Sequence, residues 1–140
     1  LVIAIDFDGT IVEDKYPEIG EPKIFAFETL HELIKARHQL ILWTTRTGVK
    51  LEEAVDYCAK RGIHFYAINR SYPEEKFDGT TGRKINCELF ISHKNIGGLP
   101  GWGEIFQYVQ TLDKGFPSAQ KISNPNNNTF ISRVFKKLGL

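Results

Sequence analysis

A chain of 140 residues, 41% hydrophobic and 25% charged, has the balance of an ordinary globular protein, and one domain of this size needs neither a disulfide nor a structural metal. Eighteen basic and seventeen acidic residues are mixed along it for a net charge of +1, so no strong field favours nucleic acid or an anionic membrane, and neither is expected as a partner. Cys58 and Cys87 stand in no zinc or redox spacing and read as buried small residues in a reducing compartment, with the cytoplasm as the default location.

Leu1 to Ile5 is a continuous apolar run rich in β-branched residues, too short to span a membrane and suited to a strand buried on both faces of a parallel sheet. Residues 9–22, with Gly9, Pro17, Gly20 and Pro22, read as a loop or small β-flap. From Lys23 to Arg37 the apolar positions Ile24, Phe27, Leu30, Leu33 and Ile34 predict an amphipathic helix. Gln39 to Thr44 makes a second strand, and Leu51 to Arg61 a second helix with Gly62 as its C-cap. Ile63 to Ile68 reads as a third strand, residues 69–83 as a polar connection, and Cys87 to Ile91 as a fourth strand. A last helix runs from about Trp102 to Leu112, and strands alternating with helices indicate an α/β domain with a parallel sheet over residues 1–112. Residues 113–140 hold the Asn-rich linker Ser123 to Asn128 and a short amphipathic tail bearing Phe130, Ile131, Val134, Phe135 and Leu138, expected to dock on its own domain or on a neighbouring subunit, with weak membrane-surface attachment as the alternative.

Functional groups of an open parallel sheet gather where the carboxyl ends of the strands meet their loops. Asp6 and Asp8 follow the first strand, Thr44 ends the second, Lys84 shortly precedes the fourth, and Ser92 and His93 follow it. Two carboxylates directly after a buried strand are costly to place without a cation or a ligand, and the apolar Phe7, Ile11 and Val12 do not suit a calcium loop. An aspartate nucleophile suits phosphoryl transfer, because the acyl phosphate splits one difficult displacement into two. Asp6 takes that role, Asp8 is placed to act as general acid and base, and Gly9 lets the backbone turn tightly beside the phosphate. Thr44 and Lys84 supply a hydrogen bond and positive charge to the phosphoryl group. On the loops after the second and third strands, Thr45, Arg46, Asn69, Arg70 and Tyr72 are candidates for contacting the substrate, with ordinary solvated loop residues as the equal alternative. A receiver domain uses a similar Asp, Thr and Lys set, but its aspartate follows the third strand, which ends here in Asn69 and Arg70.

The pentapeptide Asp6-Phe7-Asp8-Gly9-Thr10, with Thr44 and Lys84 in that order after it, resembles the motifs of the haloacid dehalogenase-like (HAD) superfamily of phosphatases and phosphotransferases over about residues 1 to 110. The resemblance implies a three-layer Rossmann-like domain with a central parallel sheet, a phosphorylated substrate, Mg²⁺ as cofactor, and Asp6 with the backbone carbonyl of Asp8 as metal ligands. Similar proteins complete that metal site with paired aspartates after the fourth strand, whereas this chain has Ser92 and His93 there as the candidate metal residues in their place. The expected function is therefore a Mg²⁺-dependent phosphatase, or else a HAD-like phosphate-binding or regulatory protein that has lost most turnover. No insertion is long enough for a cap domain, so the resemblance implies a capless member, its site shielded by the 11–22 flap or by another subunit of a homo-oligomer.

Overall fold

The computed structural model describes residues 1–115, so the expected linker and amphipathic tail lie outside the described residues. The elements run β1 (Val2–Ile5), α1 (Ala26–Lys35), β2 (Gln39–Leu42), α2 (Gly48–Ala59), β3 (Ala67–Ile68), β4 (Leu89–Ile91) and α3 (Trp102–Asp113). The four strands form one parallel sheet in the order β3-β2-β1-β4, which establishes an α/β fold. The chain builds outward from β1 through β2 to β3 and then returns to add β4 on the other side of β1. The loops leaving β1 and β4 therefore lie side by side at the carboxyl ends of the strands, where an open parallel sheet forms its crevice.

Strand alternation divides the sheet's side chains between two faces. Ile3, Ile5, Leu40, Leu42 and Ile91 point to one face and join a core with Leu30 and Leu33 of α1, Ala54 and Cys58 of α2, and Trp102, Ile105 and Val109 of α3. Ala4, Ile41 and Ala67 form a smaller cluster on the other face, closed by Ile85 from the connection between β3 and β4. All three helices thus feed one core, and among the described residues an irregular segment covers the second face where the three-layer expectation put helices.

Most sequence-predicted elements stand in place with shifted ends: the strands and α1 are shorter, α2 begins earlier, at Gly48, and α3 runs on to Asp113. α1 begins at Ala26 because Phe25 adopts a left-handed conformation (φ 63°), which leaves Ile24 80% exposed and outside the helical stripe. Of the third strand only Ala67 and Ile68 pair, since β3 lies at the sheet edge with β2 as its one neighbour. Gly62 does close α2: at φ 77° it donates to the carbonyl of Ala59 while Ile63 N–H donates to that of Cys58, the paired bonds of a Schellman ending. Among the described residues no helix is long and apolar enough to cross a membrane.

Both cysteines are free, and burial pushes the Cys58 thiol up to about 12. Because the thiolate is the reactive form, Cys58 in the native chain resists a thiol-labelling reagent at pH 8 and reacts once the chain is unfolded. Comparable labelling rates in the two states would contradict this placement.

Candidate functional site

The motif at the end of β1 folds as a tight turn. Asp6 N–H donates to the carbonyl of Ile91, continuing the ladder, and the N–H groups of Thr10, Ile11 and Val12 all converge on the carbonyl of Phe7. Phe7 is fully buried, so the alternation of the strand carries into the turn and leaves Asp6 and Asp8 on the crevice side of it. Gly9 sits at φ 75°, and a Cβ there would lie 2.7 Å from the His93 ring. Gly9→Ala is therefore expected to destabilise the fold by about 1–3 kcal/mol from the backbone conformation, with the clash adding to it. Equilibrium urea unfolding measures this, and a variant as stable as the parent would contradict it.

The turn is tied to the helical core. Thr10 is buried, its carbonyl accepts from Trp102 Nε1 at 3.1 Å, and the Trp102 carbonyl accepts from Thr29 Oγ1 at 3.3 Å. Thr10 also reaches across the crevice, where its Oγ1 accepts from the His93 backbone N–H at 3.0 Å and lies 3.2 Å from His93 Nδ1.

Above the turn lies a cavity of about 430 Å³ into which Asp6, Asp8, Thr44, Thr45, Ser92 and His93 project. The sequence-predicted residues from three strand ends thus meet. Around Asp6, the backbone N–H of Phe7 donates to Oδ1 at 2.8 Å and Ser92 Oγ donates to Oδ2 at 3.0 Å. His93 Nδ1 stands 3.5 Å from the same Oδ2. Ser92 Oγ is held in turn by the backbone N–H of Lys94 at 3.1 Å.

Asp8 and Arg46 form the strongest contact of the site. Arg46 Nε donates to Asp8 Oδ2 at 2.8 Å and Nη2 to Oδ1 at 2.7 Å, a two-pronged fork that occupies both carboxylate oxygens. The guanidinium also donates to the carbonyls of Pro17 (3.1 Å) and Glu18 (2.7 Å) in the flap, and lies over the rings of Phe7 and Tyr16 at 5.3 and 5.2 Å. Its side chain is fully buried, and the hydrogen bonds it donates to Asp8 hold its pKa above the ordinary value despite the opposing desolvation. Arg46, expected to reach substrate, is instead internal: a cation clamping the second aspartate to the flap.

Other expected contacts are redistributed as well. The side-chain carbonyl of Asn69 accepts from the Thr44 backbone N–H at 2.8 Å, bracing the ends of β2 and β3. Arg70 donates to the carbonyl of Pro73 and is exposed, as is Tyr72. Lys84 is exposed and does not line the crevice, because its neighbour Ile85 packs on the second face of the sheet. Thr44 Oγ1 accepts from the Arg46 backbone N–H at 3.1 Å, which leaves its own proton free for a ligand.

Sequence reasoning left out several residues that line the cavity: Asp14 and Tyr16 of the flap, Trp43 at the end of β2, and Asn95 beside Lys94. Trp43 carried a signal, since an aromatic residue directly before Thr44 at a strand end falls on the crevice rim. Tyr16 carried none, because the flap's path depends on the Arg46 contacts.

The donor set also tests whether Mg²⁺ fits. That ion takes oxygen ligands in near-octahedral array, commonly anchored by carboxylates. Here Asp6 Oδ2 faces a hydroxyl and an imidazole, Asp8 faces Arg46, and among the described residues no three His, Cys, Asp or Glu side chains group to hold a metal. Among the described residues the site thus offers Mg²⁺ the Asp6 carboxylate and the Asp8 backbone carbonyl, with a hydroxyl and an imidazole where the paired acids were expected.

No family model matches the chain, and no curated protein does. A solved structure of a conserved protein from Bacteroides thetaiotaomicron is 49% identical, covers 79% of this chain and 90% of its own, and has a TM-score of 0.75. Identity at that level over nine-tenths of the other protein means a shared fold and ancestry, and the chain belongs to the family of this conserved Bacteroides protein.

Proposed function

We propose that the domain is HAD-like and Rossmann-like in type, and that its crevice takes a phosphate ester which it binds far better than it hydrolyses. The carrying observation is the pair Ser92 and His93 on Asp6 Oδ2, where a phosphatase of this type needs acids and a cation. A phosphoryl group beside Asp6 meets Lys94 and the hydroxyls of Thr44 and Thr45, which line the same cavity. Ser92 donates a hydrogen bond to the Asp6 oxygen that faces the crevice, and the Arg46 fork occupies both oxygens of Asp8. Binding therefore has its groups, while turnover lacks the paired acids that would hold a cation and a second carboxylate free of its partner.

Calorimetric titration with inorganic phosphate in the presence of a chelator, beside a hydrolysis assay with 4-nitrophenyl phosphate and Mg²⁺, tests this directly. Phosphate binds without metal and hydrolysis stays near background. Asp6→Asn removes the carboxylate beside the phosphoryl position and is expected to tighten binding by about tenfold. Absence of phosphate binding in both proteins would overturn the proposal. Rapid Mg²⁺-dependent hydrolysis lost in Asp6→Asn would instead establish the second reading, a working phosphatase, which the position of Asp6 and Asp8 at the carboxyl end of β1 favours.

A further inference from the structure

Two large aromatic side chains stand on the rim of the cavity that holds Asp6. Trp43 is 41% exposed and Tyr16 is 62% exposed, in a domain whose other aromatic at the site, Phe7, is fully buried. Each ring is supported from behind. Trp43 follows β2 on the second face of the sheet, where its ring packs on Phe90 with centroids 4.8 Å apart, across β1, in which the small Ala4 is the partner of Phe90. Tyr16 lies against the Arg46 guanidinium at 5.2 Å, and the flap that carries it is fastened by Arg46 bonds to the carbonyls of Pro17 and Glu18. Leaving such rings half in water forgoes apolar burial, whereas a planar ligand stacked on them recovers it at little cost in side-chain freedom.

Resting on the phosphate reading, we infer that the ligand is a small phosphate monoester with a planar aromatic group, of the nucleoside monophosphate kind, whose base stacks on Trp43 and Tyr16 while its phosphate lies by Asp6 and Lys94. The cavity's 430 Å³ is in the size range of small-molecule sites, and its lining combines two aromatic surfaces with a few convergent polar groups, as such sites do. Stacking recognises the ring plane, and the phosphate contacts fix one end of the molecule.

The test uses the full chain without metal and compares inorganic phosphate, glycerol 2-phosphate and adenosine 5′-monophosphate by calorimetry, with tryptophan emission recorded alongside. The chain has two tryptophans, and Trp102 is buried, so quenching by the nucleotide reports on Trp43. The nucleotide is expected to bind about tenfold more tightly than glycerol 2-phosphate and to quench emission. Trp43→Ala brings the nucleotide down to the glycerol phosphate level and leaves inorganic phosphate unchanged. Trp43→Phe keeps part of the preference without the quench, which separates stacking from a folding defect. Equal affinity for the nucleotide and glycerol 2-phosphate overturns the inference while the phosphate site stands. Failure of all three to bind overturns the phosphate reading and this one with it.

Discussion

Arg46→Ala lowers the stability of the fold by about 3–5 kcal/mol, the cost of breaking a buried ion pair by removing one partner. The variant leaves the Asp8 carboxylate, whose side chain is 15% exposed, without either arm of the fork, and leaves the carbonyls of Pro17 and Glu18 without their donors. Lysine is no substitute, because one ammonium cannot serve two carboxylate oxygens and two carbonyls in a plane. Arg46→Ala combined with Asp8→Ala is expected to be more stable than the sum of the single losses, since the orphaned charge is gone. Equilibrium unfolding in urea for the four proteins of the cycle gives both numbers. A single-variant loss below about 1 kcal/mol would mean that the pair behaves like an exposed one.

The second large effect concerns the far side of the crevice. Ser92→Asp with His93→Asp places two carboxylates beside Asp6, where Ser92 Oγ now stands 3.0 Å and His93 Nδ1 3.5 Å from its Oδ2. With a chelator present the double variant is less stable than the parent, because three carboxylates repel one another in a partly buried site. Mg²⁺ then raises its midpoint of thermal unfolding, by an amount that grows with the logarithm of ion concentration, and leaves the parent unmoved. Hydrolysis of 4-nitrophenyl phosphate rises on the order of a hundredfold over the parent once the ion is bound. A double variant that gains neither the Mg²⁺-dependent stabilisation nor the hydrolysis would show that the site is not a HAD-like one short of its acids.

Much of this was legible in the sequence for a local reason. Asp6 and Asp8 follow an uninterrupted apolar run, and a strand buried on both faces announces itself by composition alone. Thr44, Ser92 and His93 stand directly after or near two more such runs, so a parallel sheet brings them to the same edge. Arg46 was not legible, because its partner lies 38 residues away and nothing in Thr44-Thr45-Arg46 distinguishes a solvated loop arginine from a buried one. Lys84 shows the same difficulty from the other side. Its order in the chain suggests a phosphate contact, but its position is set by where Ile85 finds cover on the second face. The missing helix there has a similar cause: residues 69–83 carry no apolar stripe to bury, so coverage of Ala4, Ile41 and Ala67 falls to Ile85 and its neighbours.

The sharing of one guanidinium between Asp8 and the flap makes their behaviours interdependent. A change that moves the Arg46 guanidinium with the Asp8 carboxylate is felt at the carbonyls of Pro17 and Glu18, and a change in the flap is felt at the seat of Arg46 against Asp8. By thermodynamic reciprocity each affects the other by the same free energy. The setting of the second carboxylate and the path of the flap are thus linked, with Arg46 as the pivot.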